Sequence, residues 1–357
     1  MISRDKITIQ SMTTTKTSDV QATAAQIKSL AAIGCDIIRV AVPDMASADA
    51  IYHIKSEIDI PLVADIHFDY RLAIRCVSSG ADKIRINPGN IGGEDNVKKV
   101  ADACRKRNIP IRIGVNSGSL ERSILEKHGA VTAEAMAESV LGHAALLTKY
   151  DFDDIWLSAK ASSAKLTVQT YRLLREMTKY PLHIGVTGAG TEYSGIIKNA
   201  IGIGALLLDG IGDTIRVSLT APPEREVIAA KTILKSLGLY PGIDVISCPT
   251  CGRCGIDVMT IADEVERRLE SNMSRALKSK PAADKSHLSD SLTVAVMGCS
   301  VNGPGEARQA DFGIAGCAGV TRGGAKEGEG IIFARGEIIK KTKMSSLIDE
   351  LMEIIYL

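Results

Sequence analysis

Eight short runs rich in β-branched and aliphatic residues recur along the first two thirds of the chain. They are Ile7–Met12, Asp36–Val42, Leu62–Ile66, Lys83–Asn87, Pro110–Val115, Ile155–Ala159, Leu182–Thr187 and Thr214–Leu219. Between them lie stretches with apolar residues at three- and four-residue spacing, among them Val20–Ile33, Ala46–Ile58, Val97–Arg107, Ala133–Lys149 and Ala164–Met177. Strands that alternate with helices pair in parallel through right-handed crossovers. Eight such units in about 240 residues match the size of a closed (β/α)₈ TIM barrel. A doubly wound open sheet is the other arrangement of this pattern. The count of eight, with no dinucleotide-type glycine fingerprint after the first strand, favours the barrel.

The pattern breaks after Pro222-Pro223-Glu224. One more helix, Glu226–Leu237, completes the eighth unit, and Leu239-Tyr240-Pro241-Gly242 reads as a junction. The expected division is therefore a barrel over residues 1–240 and a small α/β domain over 241–357. In the second part a helix is expected at Asp257–Leu269 and a polar, solvated excursion from Glu270 to Ser291. A buried strand at Leu292–Met297, strands at Phe312–Ala315 and Ile331–Ala334, a Gly-rich turn at Thr321–Gly330 and a helix from Met344 onward complete it.

Hydrophobic residues make up 45% of the chain, enough for such cores. A net charge of +1 and an aromatic content of 4% give no electrostatic or stacking case for nucleic acid or a membrane surface. The segment Met1–Ile9 has no apolar signal core. The longest apolar stretches, such as Ala200–Leu208, are short and interrupted by glycine, so no membrane span is expected. A cytoplasmic, reducing location follows as the expectation, where thiols stay available to metal.

In a TIM barrel, chemistry sits at the C-terminal ends of the strands. Those ends carry Arg39, Asp65 with His67, Arg85 with Asn87, Arg112 with Asn116, Ser158 with Lys160, and Arg216 with Ser218. Each arginine alone could pair with a nearby carboxylate, but five basic residues on five strands exceed the carboxylates in view, chiefly Asp65. A cationic mouth of this kind suits a multiply charged anion, most naturally two phosphate groups. A lone histidine such as His67 is commonly a packing residue, but its place beside Asp65 marks it as a substrate contact. Trp156 reads as packing, and Cys35, Cys76 and Cys104 as inert buried thiols.

The remaining chemistry lies in two cysteine segments. Cys248, Cys251 and Cys254 stand in Cys-Pro-Thr-Cys-Gly-Arg-Cys, and Cys299 stands in Gly-Cys-Ser-Val-Asn-Gly-Pro-Gly-Glu, which ends at Glu306. Two thiolates three residues apart with a third from a distant loop point to a metal. Structural zinc, completed by Cys254 or Cys317, is one reading. It would make the chain a zinc-stapled phosphate-binding barrel, a non-redox lyase or a binding module. The second half-site has a single Cys in a turn whose backbone amides suit sulfide hydrogen bonding, which favours an iron–sulfur cluster.

The segments Gln10–Thr13, Arg39–Pro43, Asp65–Phe68, Arg85–Asn90, Arg112–Leu120, Gly210–Leu219, Cys248–Arg253 and Met297–Glu306 together resemble the 4-hydroxy-3-methylbut-2-en-1-yl diphosphate synthase family. These are iron–sulfur reductases of the methylerythritol phosphate route to isoprenoids, and the resemblance spans essentially the whole chain. It implies a [4Fe–4S] cluster held by Cys248, Cys251, Cys299 and Glu306, with Cys254 an extra thiol nearby. It implies 2-C-methyl-D-erythritol 2,4-cyclodiphosphate as substrate, opened and dehydrated with two electrons from flavodoxin or ferredoxin. Substrate contacts fall on Arg39, His67, Arg85, Arg112, Asn116, Lys160, Arg216 and Ser218, and catalysis on Glu306, Asp65 and Asn116. A homodimer is implied, in which the cluster domain of one copy caps the barrel of the other. One position departs: where the family typically reads Thr-Glu-Ala-Gly, this chain has Thr187-Gly188-Ala189-Gly190.

Overall fold

The computed structural model describes residues 6–252, 254–272, 291–299, 305, 307–316 and 328–356. The chain divides into two compact units, Met1–Leu237 and Gly238–Leu357.

The first unit contains β1 (Thr8–Met12), β2 (Ile37–Ala41), β3 (Leu62–Asp65), β4 (Lys83–Ile86), β5 (Ile111–Asn116), β6 (Ile155–Lys160), β7 (His183–Ile184) and β8 (Thr214–Ile215). All pair in parallel, in the order β6-β5-β4-β3-β2-β1-β8-β7. A parallel bridge between Leu157 and Leu182 closes the ring from β6 to β7. The surrounding helices are α1 (Val20–Ala32), α2 (Met45–Glu57), α3 (Tyr70–Ser78), α4 (Glu94–Arg107), α5 (Arg122–His128), α6 (Ala133–Thr148), α7 (Ala164–Met177), α8 (Glu192–Leu208) and α9 (Pro223–Ser236). The structure is the expected TIM barrel.

Local chemistry sets where the helices start. Asp19, Asp44, Thr132 and Ser163 each accept the backbone N–H three residues on, and Asp69 accepts that of Arg71. Such caps satisfy donors that the first turn leaves orphaned, and they fix the path of each loop leaving a strand. Along the strands, Ile38, Val40, Ala64, Ile84, Ile86, Ile113, Val115 and Leu157 are fully buried. They alternate with Arg39, Asp65, Arg85, Arg112 and Ser158, so one strand face meets the helices and the other lines the barrel.

Three differences from the sequence reading have physical causes. Helix α8 was not anticipated because Gly195, Gly202 and Gly204 interrupt its apolar pattern. A Cβ at Gly202 would stand 2.6 Å from Val186 Cγ2, and one at Gly195 would stand 2.7 Å from Leu219 Cδ2, so two of these glycines are close-packing positions. Strands β7 and β8 are two paired residues each, where six were expected. The paired run ends at Gly185 (φ +152), whose backbone lies so close to the Arg216 carbonyl that a Cβ would stand 2.2 Å from it. Finally, Gly242 belongs to a strand and not to a junction.

The second unit is a five-stranded sheet of order β13-β12-β11-β10-β9, made of β9 (Gly242–Ser247), β10 (Ser291–Met297), β11 (Phe312–Gly316), β12 (Glu329–Ala334) and β13 (Glu337–Lys343). Strands β9, β10 and β11 run parallel, and β12 and β13 antiparallel. Helices α10 (Val258–Ser271) and α11 (Leu347–Tyr356) bury Val258, Val265, Leu269, Leu347, Leu351 and Ile355 against Leu292, Val294, Val296, Ile314 and Ile332. Ala295, Met297, Ala315, Ile331 and Phe333 form a second cluster with Ala307 and Ala310. The expected excursion between Glu270 and Ser291 lies, beyond Asn272, outside the described residues, as does most of the turn at Thr321–Gly330.

Candidate functional sites

Inside the barrel, Arg39 on β2, Arg85 on β4, Arg112 on β5, Lys160 at the end of β6 and Arg216 just after β8 are brought together. Each of the four arginines lowers the proton affinity of Lys160 by charge repulsion, and Arg216 and Arg85 do the same to Arg39 and Arg112. Arg112 Nη1 donates to Gln10 Oε1 at 2.6 Å, from β5 to β1, so this bond crosses the interior. Arg85 Nη1 donates to Asp65 Oδ1 at 2.9 Å, and Nη2 donates to the Gly114 carbonyl at 3.2 Å. Arg39 lies 3.8 Å from Asp65 Oδ2 and sets its guanidinium against Met12 Sδ. Arg216 Nε is 3.7 Å from Glu226 Oε2, a longer pairing than a hydrogen bond.

The charge balance is lopsided. Among the described residues, Asp65 and Glu226 are the carboxylates that pair with these cations, and no carboxylate lies within ion-pair distance of Arg112 or Lys160. Burial, then repulsion from Arg216, pushes Arg39 and Lys160 well below their ordinary values. Burial, then Arg85, pushes Arg112 down to about 9. Buried Arg112 Nε and Arg216 Nε have no hydrogen-bond acceptor. Such donors are expensive to leave unpaired, so the cations outnumber both the carboxylates and the acceptors around them.

Asp65 behaves differently. Its burial would raise the carboxyl pKa, but Arg39, the His67 hydrogen bond and Arg85 outweigh burial and hold it well below the usual carboxylate range. Asp65 is therefore an ionised anchor for two arginines and a poor source of protons near neutral pH. His67 is half exposed, with Nε2 at 3.3 Å from Asp65 Oδ2 and 3.2 Å from Arg85 Nη1. Asn116 is half-buried, and its backbone pairs with Lys160. Ser218 is half-buried, and its carbonyl accepts from Asn199 Nδ2. Neither side chain touches the cation cluster. At Gly188 the backbone is left-handed (φ +57), and a Cβ there would meet only Ser162 Cβ at 3.8 Å.

Sequence reasoning missed three interior groups. His183 is fully buried, with Nε2 at 3.1 Å from Lys160 Nζ. Glu226, in the first turn of α9, accepts from Ser11 Oγ and from the backbone of Leu219. Lys83 places its ammonium 3.3 Å from the centre of the Trp156 ring. Cys35, Cys76 and Cys104 are buried, and burial pushes Cys76 and Cys104 up to about 12, as suits inert thiols.

In the second unit, Cys248 follows β9 and Cys299 follows β10. Two adjacent parallel strands therefore deliver both thiols at their C-terminal ends, the usual site position in such sheets. Gly298 organises them. Its N–H donates to Cys248 Sγ at 3.1 Å, and its carbonyl accepts from Gly255 N at 2.7 Å. A Cβ at Gly298 would stand 2.4 Å from Cys254 Sγ. Cys251 N donates to Cys254 Sγ at 3.3 Å, and Cys251 itself is exposed. Among the described residues no three potential ligands stand in ion-holding geometry, and Glu306 and Cys317 lie outside those residues. The donor chemistry among the described residues nevertheless fits an iron–sulfur cluster: the thiols of Cys248, Cys251 and Cys299, the Gly298 amide aimed at Cys248 sulfur, and apolar clusters against which Cys248 and Cys254 pack.

Comparison with known proteins adds to this geometry. The GcpE TIM-barrel domain matches residues 1–231, and the GcpE protein C-terminal domain matches residues 244–356. The 4-hydroxy-3-methylbut-2-en-1-yl diphosphate synthase (flavodoxin) of Caldicellulosiruptor saccharolyticus is 52% identical over 352 residues, covering 99% of this chain and 94% of that protein. The enzyme of the same description from Caldanaerobacter subterraneus subsp. tengcongensis is 55% identical over 348 residues, covering 97% and 91%. Among solved structures, the dihydropteroate synthase of Stenotrophomonas maltophilia aligns with a TM-score of 0.49 at 12% identity, over 66% of this chain and 93% of that one.

Proposed function

The chain belongs to the GcpE family, and on that premise we propose that it converts 2-C-methyl-D-erythritol 2,4-cyclodiphosphate to 4-hydroxy-3-methylbut-2-enyl diphosphate. The reaction is a two-electron reductive ring opening with loss of water, in isoprenoid precursor synthesis. The enzyme is an oxidoreductase, with reduced flavodoxin as electron donor, and its working form is a cytoplasmic homodimer.

The observation that carries the reading is the surplus of buried cations in the barrel. Arg39, Arg85, Arg112, Lys160 and Arg216 face two carboxylates, and two guanidinium Nε groups are left without acceptors. A cyclic diphosphate supplies the missing negative charge. Because the donors are already oriented, they need little reorganisation as charge develops on the departing phosphate oxygen. Asp65 holds Arg39 and Arg85 in place, and His67, Asn116 and Ser218 border the substrate. With Asp65 ionised and a glycine at position 188, water brings the proton that the leaving hydroxyl takes.

Cys248, Cys251 and Cys299, with Glu306, would hold a [4Fe–4S] cluster. When bound, that cluster supplies single electrons and a Lewis-acidic iron. The amide of Gly298 and the apolar surroundings of Cys248 shield that thiolate from water.

Anaerobic purification tests the whole reading. The protein should be brown, contain iron and sulfide, and turn over the cyclic diphosphate with reduced flavodoxin. A colourless protein with one bound zinc would refute it and leave the zinc-stapled phosphate-binding barrel in its place.

A further inference from the structure

Lys160 is the least supported charge in the barrel. Its ammonium is buried and crowded by Arg216, Arg112, Arg39 and Arg85. Among the described residues its hydrogen-bond partner is His183 Nε2, at 3.1 Å. The approach is tight, because Lys160 Nζ lies 3.0 Å from where a Cβ at Gly185 would stand, and the Arg216 carbonyl lies 2.2 Å from the same point.

His183 is held just as firmly. It occupies the two-residue strand β7 and is 1% exposed. Tyr171 Oη donates to its carbonyl at 2.6 Å and accepts from Ala159 N at 2.9 Å, which ties β7 to β6 beside the lysine. Burial, then Arg112 and Lys160, pushes the imidazole well below its ordinary value, so the ring is neutral. An ammonium has only donors to offer, so Nε2 must be the acceptor and the ring proton sits on Nδ1. That Nδ1 is buried with no partner. A carboxylate at this place would hold the lysine equally well, but it would cancel the lysine's charge.

We propose that His183 is a positioning residue for substrate binding: a neutral acceptor that occupies one N–H of Lys160 and aims the other two, with the full positive charge, at a phosphate group of the substrate. The inference rests on the reading of the barrel as a diphosphate site.

The test compares His183→Leu, His183→Gln, His183→Glu and Lys160→Met in the cluster-loaded enzyme. Steady-state kinetics and calorimetric titration with the cyclic diphosphate are the readouts, and near-UV circular dichroism checks folding. His183→Leu should weaken binding about tenfold, the effect of one lost charge-assisted hydrogen bond, with KM rising far more than kcat falls. His183→Gln, which keeps a neutral acceptor, should restore most of the affinity. His183→Glu should bind as weakly as His183→Leu, because it neutralises the lysine. Parent-like binding by His183→Leu or His183→Glu overturns the proposal, as does a folded His183→Gln that is no better than His183→Leu. If Lys160→Met binds the substrate as well as the parent does, the diphosphate reading itself fails. If Lys160→Met is impaired and His183→Leu is not, only the role of His183 fails.

Discussion

Replacing Gly114 by Ala adds one methyl group where the barrel has no room for it. The new Cβ would stand 2.3 Å from Arg85 Nε, 2.7 Å from Nη2 and 2.9 Å from Cζ. Ordinary carbon contact begins near 3.5 Å, so the guanidinium must withdraw by about 1 Å. The end of a long side chain normally yields at little cost, but Arg85 is buried and held at both ends. Withdrawal stretches the 2.9 Å bond to Asp65 Oδ1 and the 3.2 Å bond to the Gly114 carbonyl. Hydrogen bonds to charged groups contribute about 1.5–3 kcal/mol each, and buried partners find no water in exchange. Relief of repulsion from the neighbouring arginines offsets part of this, leaving a net loss of about 2–3 kcal/mol. Trp156, the single tryptophan, is buried in β6 and reports on the barrel alone. Urea unfolding followed by its fluorescence should show a midpoint about 1 M lower with an unchanged slope. Gly118→Ala is the control, since a Cβ there meets nothing within 4 Å. Equal midpoints for the two variants would refute the claim that Arg85 is locked against Gly114.

Other outcomes follow from the same geometry. Lys160 sits below its ordinary pKa in the free protein, and a bound anion draws it back up. Substrate binding therefore takes up a proton once pH reaches the lowered range in which the free lysine loses its own, and affinity should fall as pH rises through that range, by at most about tenfold per unit. Titrations in buffers of different ionisation enthalpy check the sign, and a pH-independent affinity with no proton uptake contradicts it. Cys299→Ser should abolish the iron–sulfur absorption of anaerobically prepared protein, whereas Cys254→Ser should keep most of its iron. An iron-replete Cys299→Ser variant would show the ligand assignment to be wrong. Gly188→Glu should cost about 1 kcal/mol for a side chain in left-handed backbone, since a Cβ there meets no atom closer than 3.8 Å. It should also raise turnover several-fold by adding an acid to a mouth where the arginines hold Asp65 ionised, and unchanged turnover would show that the mouth lacks no proton donor.

What could be read from the sequence was whatever depends on neighbours along the chain. Strands with one face against helices and one in a barrel still present runs such as Ile111–Val115, and five cations at strand ends were visible as a list. What could not be read depends on ring closure or on packing at a distance. His183 looks like a packing residue in Pro181-Leu182-His183-Ile184, and its bond to Lys160 exists only because β6 meets β7 through Leu157 and Leu182. Glu226 looks like a solvated residue in the first turn of a helix, yet α9 folds back so that it reaches Ser11 and Leu219. Strands β9 and β13 were missed because each is an edge strand with exposed polar residues, Asp244 in one and Lys340 and Lys341 in the other. Edge strands carry no full apolar alternation.

The two faces of the barrel strands divide stability from function. Barrel interiors are ordinarily filled by Val, Ile and Leu, and here most of those residues lie on the outward face, between strand and helix, with Ile37 and Val63 turned inward level with Gln10 and Arg39. The inward face holds Gln10, Arg39, Asp65, Arg85, Arg112 and Lys160, all buried or nearly so. Burying like charges together is unfavourable, and it opposes folding at every pH at which the arginines are charged. The fold tolerates this because the outward face of β2 to β6 is apolar, from Ile38 to Leu157. On the proposed reading of the barrel as a diphosphate site, this local term is reversed by a ligand with two phosphates and so works as selectivity. A neutral sugar gains nothing from these donors and a single phosphate uses few of them. A compact diphosphate can satisfy the orphaned Nε groups of Arg112 and Arg216 together with Lys160. On that reading, the residues whose burial opposes folding of the barrel are the ones that choose its substrate.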